Sequence, residues 1–436
     1  MLVLLATISA LVPGCSHASP MWPMFRGGPL RLGADAASSL PDKPPAVAWL
    51  FTDGAPRLPI TFWSSPAVCG NRLYVGGGVL SPFGTRGYVY CLDLEAPRAA
   101  DEPPRVAWKR KVDKLVFSSP AMADGTVLCG EGTHTDTATA LYALAANPAE
   151  AQGKLLWQFK VPGPVEASPC IADTARGRSV YFGTWDEFYC LDLATGRQRW
   201  KATVIDVLSS PVVAEGMVFV GSGRSEQARP ENRGAAGQQL LALDAATGQV
   251  RWREQLPYAC SSPITYADGK LVAGAGKGTF ILAGGGRSAG VVICHEASTG
   301  RQLWSRTLPD NVLAAIPVRN GLVHVACRDG KYYLLRLSDG QLLWEYKCDA
   351  ALLASPIVSG DRVLLLSRNG VAHCLDFQAT KPLWTLDLPK AAGLGKTAEV
   401  FASPVLAGGR IYAGLGSLGL VCLQARRPEA WAWPAP

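Results

Sequence analysis

Charge is scarce in this chain: only 18 % of its 436 residues are charged, against 48 % that are hydrophobic. That balance excludes an intrinsically disordered chain and leaves ample material for a large core. No apolar run reaches the roughly 18 residues that a membrane-crossing helix needs. The 42 Lys+Arg and 35 Asp+Glu give a formal charge of +7 but form no basic block. Nucleic-acid binding, which needs a concentrated basic stripe, is therefore not expected. No two cysteines are adjacent and Cys-x-x-Cys-His is absent, so no attached c-type haem is written in the chain. Histidine is sparse too, and His134, His295, His324 and His373 stand alone without metal-ligand spacing. Glycine and proline, by contrast, are plentiful at 46 and 32, with no three-residue period that would suggest collagen. Spread evenly, they suit many short strands joined by tight turns.

Residues 1–12 form an apolar run of signal-peptide length, followed by Pro13-Gly14-Cys15. Leu11-Val12-Pro13-Gly14-Cys15 resembles the bacterial lipoprotein box, which implies lipidation of Cys15. Pro13 and the lack of a preceding Lys or Arg depart from that pattern, and ordinary cleavage after Ala18 is the alternative. Either route exports the chain. Twelve cysteines in an exported protein would ordinarily suggest disulfides. Their placement points elsewhere: Cys91, Cys190, Cys374 and Cys422 share one repeat position, where Ala143 and Ala242 stand in other units. A slot that takes Cys or Ala is small and apolar, so most of these thiols are expected to be unpaired packing groups.

An internal repeat decides the architecture. Ser-Pro or a variant starts a unit at Ser65, Ser119, Ser168, Ser210, Ser262, Ile316, Ser355 and Ser403, spaced 39 to 54 residues apart. Each of the first seven starts leads to a Val/Tyr/Leu-rich run, a run like Tyr-Cys-Leu-Asp-Leu, and then a tryptophan. These are Trp108, Trp157, Trp200, Trp252, Trp304, Trp344 and Trp384; an eighth, Trp49, precedes the first Ser-Pro. Within unit four the spacing predicts strands over 210–214, 217–221, 239–243 and 250–254. Four strands in a period of about 40 to 50 residues describe a β-propeller blade. The fold class is all-β: an eight-bladed β-propeller of four-stranded antiparallel blades, closed by the N-terminal strand. Val47-Ala48-Trp49 is expected to be the missing fourth strand of unit eight, because the chain after Leu423 runs into Arg426-Arg427-Pro428. The division follows: signal peptide 1–14, N-terminal segment 15–45, propeller 46–424 and a Pro/Trp-rich tail 425–436.

The repeated residues have physical reasons. Proline is tolerated on the innermost strand because that strand is a sheet edge. Each docking tryptophan buries about 150 to 250 Å² between neighbouring sheets, an upper-bound gain of roughly 4 to 6 kcal/mol.

Ala242-Leu243-Asp244-Ala245-Ala246-Thr247-Gly248-Gln249-Val250-Arg251-Trp252 resembles the tryptophan-docking motif of pyrroloquinoline-quinone (PQQ) propellers, and the stretch from Cys190 to Trp200 matches it closely. The resemblance covers residues 22–424 through all eight units, with Ala297-Ser298-Thr299-Gly300 a partial match. Trp22-Pro23-Met24-Phe25-Arg26-Gly27-Gly28 is similar to a segment that often precedes such bacterial propellers. The chain is thereby identified as a member of the PQQ-like β-propeller family. Its branches include quinoprotein dehydrogenases and the non-enzymatic outer-membrane assembly lipoproteins of the BamB type. The motif specifies the blade and not the cofactor.

A dehydrogenase of this family would bring calcium held by carboxylate and amide oxygens, a catalytic Asp and a basic residue at the quinone. The residues just before each Ser-Pro, expected near the axis, are Trp63, Phe117, Glu166, Leu208, Cys260, Ala314, Leu353 and Phe401. Only Glu166 is charged, with Asp206 and Glu399 as neighbours in sequence, so no calcium cage is evident and no cofactor is expected. Trp63, Phe117, Glu166 and Phe401 are the candidate axial-rim residues. Gly274-Ala275-Gly276-Lys277-Gly278-Thr279 fails as a phosphate loop because Gly278 stands where Ser or Thr is required. The longest second-to-third strand connections are 76–87, 130–139, 222–237 and 274–290, in units one, two, four and five. Emerging on one face, they are expected to meet a protein, peptide or glycan partner. The resulting expectation is a non-catalytic, exported, BamB-like interaction scaffold at the periplasmic side of the outer membrane or the cell surface. It would touch the membrane only through a lipid anchor. A PQQ- and calcium-dependent alcohol or sugar dehydrogenase is the alternative.

Overall fold

Residues 21–33, 38–55, 58–81, 84–95, 102–133, 136–147, 153–223, 237–278 and 288–425 are described by a computed structural model of the chain. The leader, Cys15, His134, the heart of the connection in unit four and the tail beyond residue 425 lie outside them.

Eight antiparallel sheets follow one another around an axis, and in blades one to seven the strands run in chain order from inner to outer edge. Blade four, for instance, consists of Val212–Ala214, Met217–Gly221, Gln239–Asp244 and Val250–Gln255. Blade eight takes Val405–Ala407, Arg410–Gly414 and Leu420–Gln424 from the C-terminal end and Ala46–Phe51 from the N-terminal end. Trp49 stands opposite Cys422 in that last pairing, so the ring closes with the N-terminal strand, as the unit count requires. Closure leaves no blade with a missing outer strand.

Third and fourth strands of every blade slip register at the same place, and the slip explains the small Cys/Ala slot. Cys91, Ala143, Cys190, Ala242, Cys294, Leu334, Cys374 and Cys422 each face the docking tryptophan of their own blade. A bulge beside that pair turns the strand, and a short side chain opposite the indole lets it lie flat against the next sheet. Trp49, Trp108, Trp157, Trp200, Trp252, Trp304, Trp344 and Trp384 each join a separate inter-blade apolar cluster. The indole also docks by hydrogen bond. Trp157, Trp200, Trp252 and Trp304 donate Nε1–H to the carbonyls of Leu193, Ala245, Ala297 and Leu337 in the following blade, at 2.8 to 3.0 Å.

Glycine at the outer turn is required twice over. Gly248 has φ +75°, and a Cβ added there would lie 2.5 Å from the indole of Trp200. No L side chain fits beneath the ring in that conformation.

Ten described cysteines are buried and free, while Cys69 is disulfide-bonded. Burial pushes the Cys190 thiol up to about 11 and those of Cys294 and Cys374 to about 12, so they pack rather than react. His295 and His324 are buried on strands, as is His373.

The connection 76–87 of blade one differs from the loop expected of it. Arg72–Ser81 and Gly84–Asp93 remain paired up to Ser81 opposite Gly84, forming a projecting hairpin. Gly76 and Gly78 make the continuation possible, because side chains there would run into Val116, Leu115 and the backbone of Arg86.

Candidate functional site

The site is the hub, and it is built in layers. Each blade begins with a short connection that reaches the axis and then turns outward into the inner strand. Trp63, Phe117, Glu166, Leu208, Ser261, Leu313, Leu353 and Phe401 occupy the axial position of blades one to eight, and all line a central cavity of about 80 Å³. Two of the eight differ from the sequence expectation, which placed Cys260 and Ala314 there. The inner strands of blades five and six start at Thr265 and Val318, and their pairing shows that Pro263 and Ala315 stand where other blades have serine. The Ser-Pro dipeptide lies one residue early in blade five and one residue late in blade six, so Cys260 and Ala314 sit beside the hub wall instead.

Trp63 packs edge-on against both Phe117 and Phe401, with ring centroids at 6.0 and 5.4 Å. Together with Leu313 and Leu353 these rings form an apolar collar. Glu166 alone among the carboxylates lines the cavity. Glu399 instead pairs with Arg368 at 2.8 Å, and Asp206 is buried in the wall of blade four, away from the lining.

Below the collar runs a ring of serines. The backbone N–H of Ser65 donates to Ser119 Oγ at 3.2 Å, Ser119 to Ser168 at 3.0 Å, and Ser168 to Ser210 at 3.0 Å. Across the hub Ala315 donates to Ser355 at 2.9 Å, Ser355 to Ser403 at 2.9 Å and Ser403 to Ser65 at 2.8 Å, which joins blade eight to blade one. The circuit is broken between blades four and six, where Pro263 offers neither hydroxyl nor N–H and Ala315 no hydroxyl. Ser64 and Ser118 add a second tier, holding the N–H of Gly76 within the second strand of blade one and of Gly130 at the end of that of blade two. The second-to-third strand connections therefore emerge around the mouth of the cavity.

The opposite end is plugged by the N-terminal segment, a feature the sequence did not disclose. Met21–Trp22 pairs with Ala67–Cys69 of blade one. Pro23 O then accepts from Met122 N, Pro29 O from Val213 N, Leu30 O from Tyr266 N and Gly33 O from Val358 N. One short segment thus caps the inner strands of five blades. Phe25 forms the floor of the cavity, and Arg31 lies behind it. Arg31 is 0 % exposed and donates to the carbonyls of Phe25, Ser168, Pro169 and Pro211 at 2.6 to 3.1 Å. Arg26, 2 % exposed, reaches Gly33 O at 3.2 Å while its Nε and Nη1 have no partner. Burial, with the charge of Arg31 adding to it, pushes the Arg26 guanidinium down to about 9, so it remains cationic at neutral pH, and burial lowers the Arg31 guanidinium as well.

A quinone with its cation was tested against this geometry. A cavity of about 80 Å³ is several times smaller than the roughly 300 Å³ at which small-molecule sites begin. It offers one carboxylate, and no group of three or more His, Cys, Asp or Glu side chains among the described residues could hold a metal ion. The residues present do not fit that group. The hub is a stiff cup with one mouth, an apolar collar, a hydroxyl ring and a cationic floor.

The outer membrane protein assembly factor BamB family matches over residues 139–278 and 288–432. BamB of Yersinia pestis is 24 % identical over 323 residues, covering 70 % of this chain and 69 % of its own length. Among solved structures, BamB from Moraxella catarrhalis superposes with a TM-score of 0.57 at 17 % identity, covering 84 % of this chain and 95 % of that one. Quinohemoprotein alcohol dehydrogenase from Comamonas testosteroni gives 0.66 at 13 % identity, covering 94 % and 82 %. At such identities the two structures speak for the fold alone.

Proposed function

The chain belongs to the outer membrane protein assembly factor BamB family, and on that premise we propose that it is an exported, non-catalytic propeller that holds protein partners at the cell envelope. The observation that carries the reading is the composition of the axial ring: eight positions converge there and seven bear no charge. Redox catalysis on a quinone needs a polarising cation and a base at the reacting atoms, and such a ring supplies neither. What the fold supplies instead is rigidity, with long connections of several blades gathered around one mouth. Rigid frames that present loops on one face are suited to gripping other chains.

Export rests on the apolar leader, and envelope location on the family. Cys15 is the sulfur that a lipid anchor would use. The mass of the mature N-terminus distinguishes lipidation of Cys15 from ordinary cleavage after Ala18.

Two experiments test the function. Affinity capture from native envelopes should retain defined proteins, and removal of residues 224–236 should reduce that capture without unfolding the ring. Loading with PQQ and calcium should give no dye reduction with alcohols or aldoses. Turnover in that assay would replace the scaffold by the dehydrogenase.

A further inference from the structure

The central cavity is lined by one charged side chain, and that side chain is an acid, Glu166. It stands at the axial position of blade three, and the axial residues of the three blades before it are Phe401, Trp63 and Phe117. One arc of the collar is therefore three aromatic rings ending in a carboxylate, while Leu208, Leu313 and Leu353 make the rest largely aliphatic. Aromatic faces are negative and attract cations. One of these rings already does so: the Arg368 guanidinium, which does not line the cavity, lies 5.8 Å from the centre of the Phe401 ring. Beneath the arc, the serine ring presents oxygens. Ser65, Ser119, Ser168, Ser210, Ser355 and Ser403 each use one Oγ lone pair on a backbone N–H, and a hydroxyl oxygen has two. A carboxylate offers about four lone-pair sites, so contacts within the protein do not exhaust Glu166. The floor is the ring of Phe25. Arg31 lies behind that ring, 0 % exposed, with its charge spread over four backbone carbonyls rather than presented to the cavity.

We propose that the hub cup binds an organic ammonium group, with its nitrogen at Glu166 and its carbon stem against Trp63 and Phe117. An ammonium is a compact cation with three N–H donors and no acceptor. It therefore matches a site that offers one carboxylate, hydroxyl oxygens and ring faces. The bond to the carboxylate is charge-assisted and is the strong one. An anionic ligand would meet Glu166 as a like charge. A cavity of about 80 Å³ admits the ammonium with a short stem. Trp63, Phe117 and Leu208 are half-buried, so a longer stem continues up the apolar collar toward the mouth. The group is either a free small amine or the end of a lysine side chain on a polypeptide held at the mouth face. This site goes beyond the scaffold reading and does not depend on it, because partner capture and amine binding are read by different assays.

Calorimetric titration of the full mature chain with n-butylammonium, Nα-acetyl-lysine N-methylamide, n-butanol and butyrate tests the proposal. Saturable binding of n-butylammonium is expected, about tenfold or more tighter than n-butanol, with no binding of butyrate. Binding of the lysine amide as tightly as n-butylammonium identifies a lysine side chain as the fitting source, and binding of n-butylammonium alone identifies the free amine. Glu166→Gln keeps the size and polarity of the side chain but removes its charge, and should abolish the preference for the amine over the alcohol. Trp63→Leu keeps the collar apolar and should narrow that preference about threefold. Leu208→Glu places a second carboxylate at the next axial position and should tighten n-butylammonium several-fold, a gain that a damaged fold would not produce. No saturable binding of either amine, n-butanol binding as tightly as n-butylammonium, or a preference untouched by Glu166→Gln and Leu208→Glu would overturn it.

Discussion

His324 offers a quantitative test of how the ring is packed. It sits on Leu322–Ala326, fully buried, with Nδ1 at 2.8 Å from Tyr332 Oη and Nε2 without a partner. The ring of Phe377 lies edge-on to it at 4.7 Å. Burial, reinforced by the charge of Arg319, lowers its pKa from 6.5 to about 3. The folded state thus keeps the imidazole neutral, while the unfolded chain takes up a proton as soon as the pH falls below 6.5. More protons are bound by the unfolded form between those two values, so stability falls as the medium is acidified through this window. At pH 5 the imbalance of the unfolded pKa alone, 1.5 units, corresponds to about 2 kcal/mol. Urea denaturation at pH 8 and pH 5 measures it, with His324→Gln as the reference that keeps a polar contact and does not titrate. The wild type should lose about 2 kcal/mol more than the variant between the two pH values. Equal losses in both proteins would mean that the imidazole is hydrated or protonated in the fold, and that the seam between blades six and seven is not dry. His295 is lowered by burial as well and acts with the same sign, but it is present in both proteins and cancels.

Trp200→Ala should cost about 3 to 5 kcal/mol in urea denaturation, since it empties the seam between blades three and four and leaves the Ala245 carbonyl only the Tyr181 hydroxyl as donor. Gly248→Ala meets both a φ of +75° and the indole of Trp200, so it should destabilise by more than about 1 kcal/mol, seen as a lower midpoint with an unchanged slope. Hydrogen bonding to Arg251 holds the Asp244 carboxyl down to about 2. Its contribution is therefore present above pH 4 and disappears as the pH falls toward 2. Arg251→Met should flatten that acid limb of the thermal midpoint, and an unaltered limb would show that the exposed pair is screened.

Eight blades were legible because the unit repeats its own punctuation: Ser-Pro, a Cys or Ala slot, a Gly turn, a Trp. The closing strand was legible for the same reason, since unit eight ends one strand short and Trp49 was left over. Register at the axis was not legible in blades five and six. There the visible Ser262-Pro263 and Ile316-Pro317 dipeptides do not coincide with the ring position, and only counting back four residues from the end of the inner strand, Ala267 or Arg319, recovers Pro263 and Ala315. Trp63, Phe117 and Phe401 are apolar in the sequence as in the hub, but composition gives no sign of the hydroxyl ring beneath them. Nothing in the Ser-Pro dipeptide itself shows that the serine oxygens tie blade to blade. The plug was invisible because Trp22 to Gly33 has no periodicity. Its place depends on bonds such as Arg31 to Ser168, which lie 137 residues apart in sequence.

That plug and the closing strand are parts of one device. After capping the inner strands, the N-terminal segment leaves the hub over blade seven. Ser38 O accepts there from Ser359 Oγ, and Leu40 is fully buried among blades seven and eight. Pro41 O receives the Nε1–H of Trp384 at 2.9 Å, and five residues later the chain becomes the outer strand of blade eight. Opening the ring at the seam beside blade eight therefore pulls on the same covalent segment that holds the hub. Two buried guanidiniums, Arg26 and Arg31, lie within that segment, and withdrawing it would break together the three bonds of Arg31 to the carbonyls of Ser168, Pro169 and Pro211. The hub is stiff for this reason. Since its far end is closed by covalent chain, whatever the cup receives must enter from the face where the long connections gather.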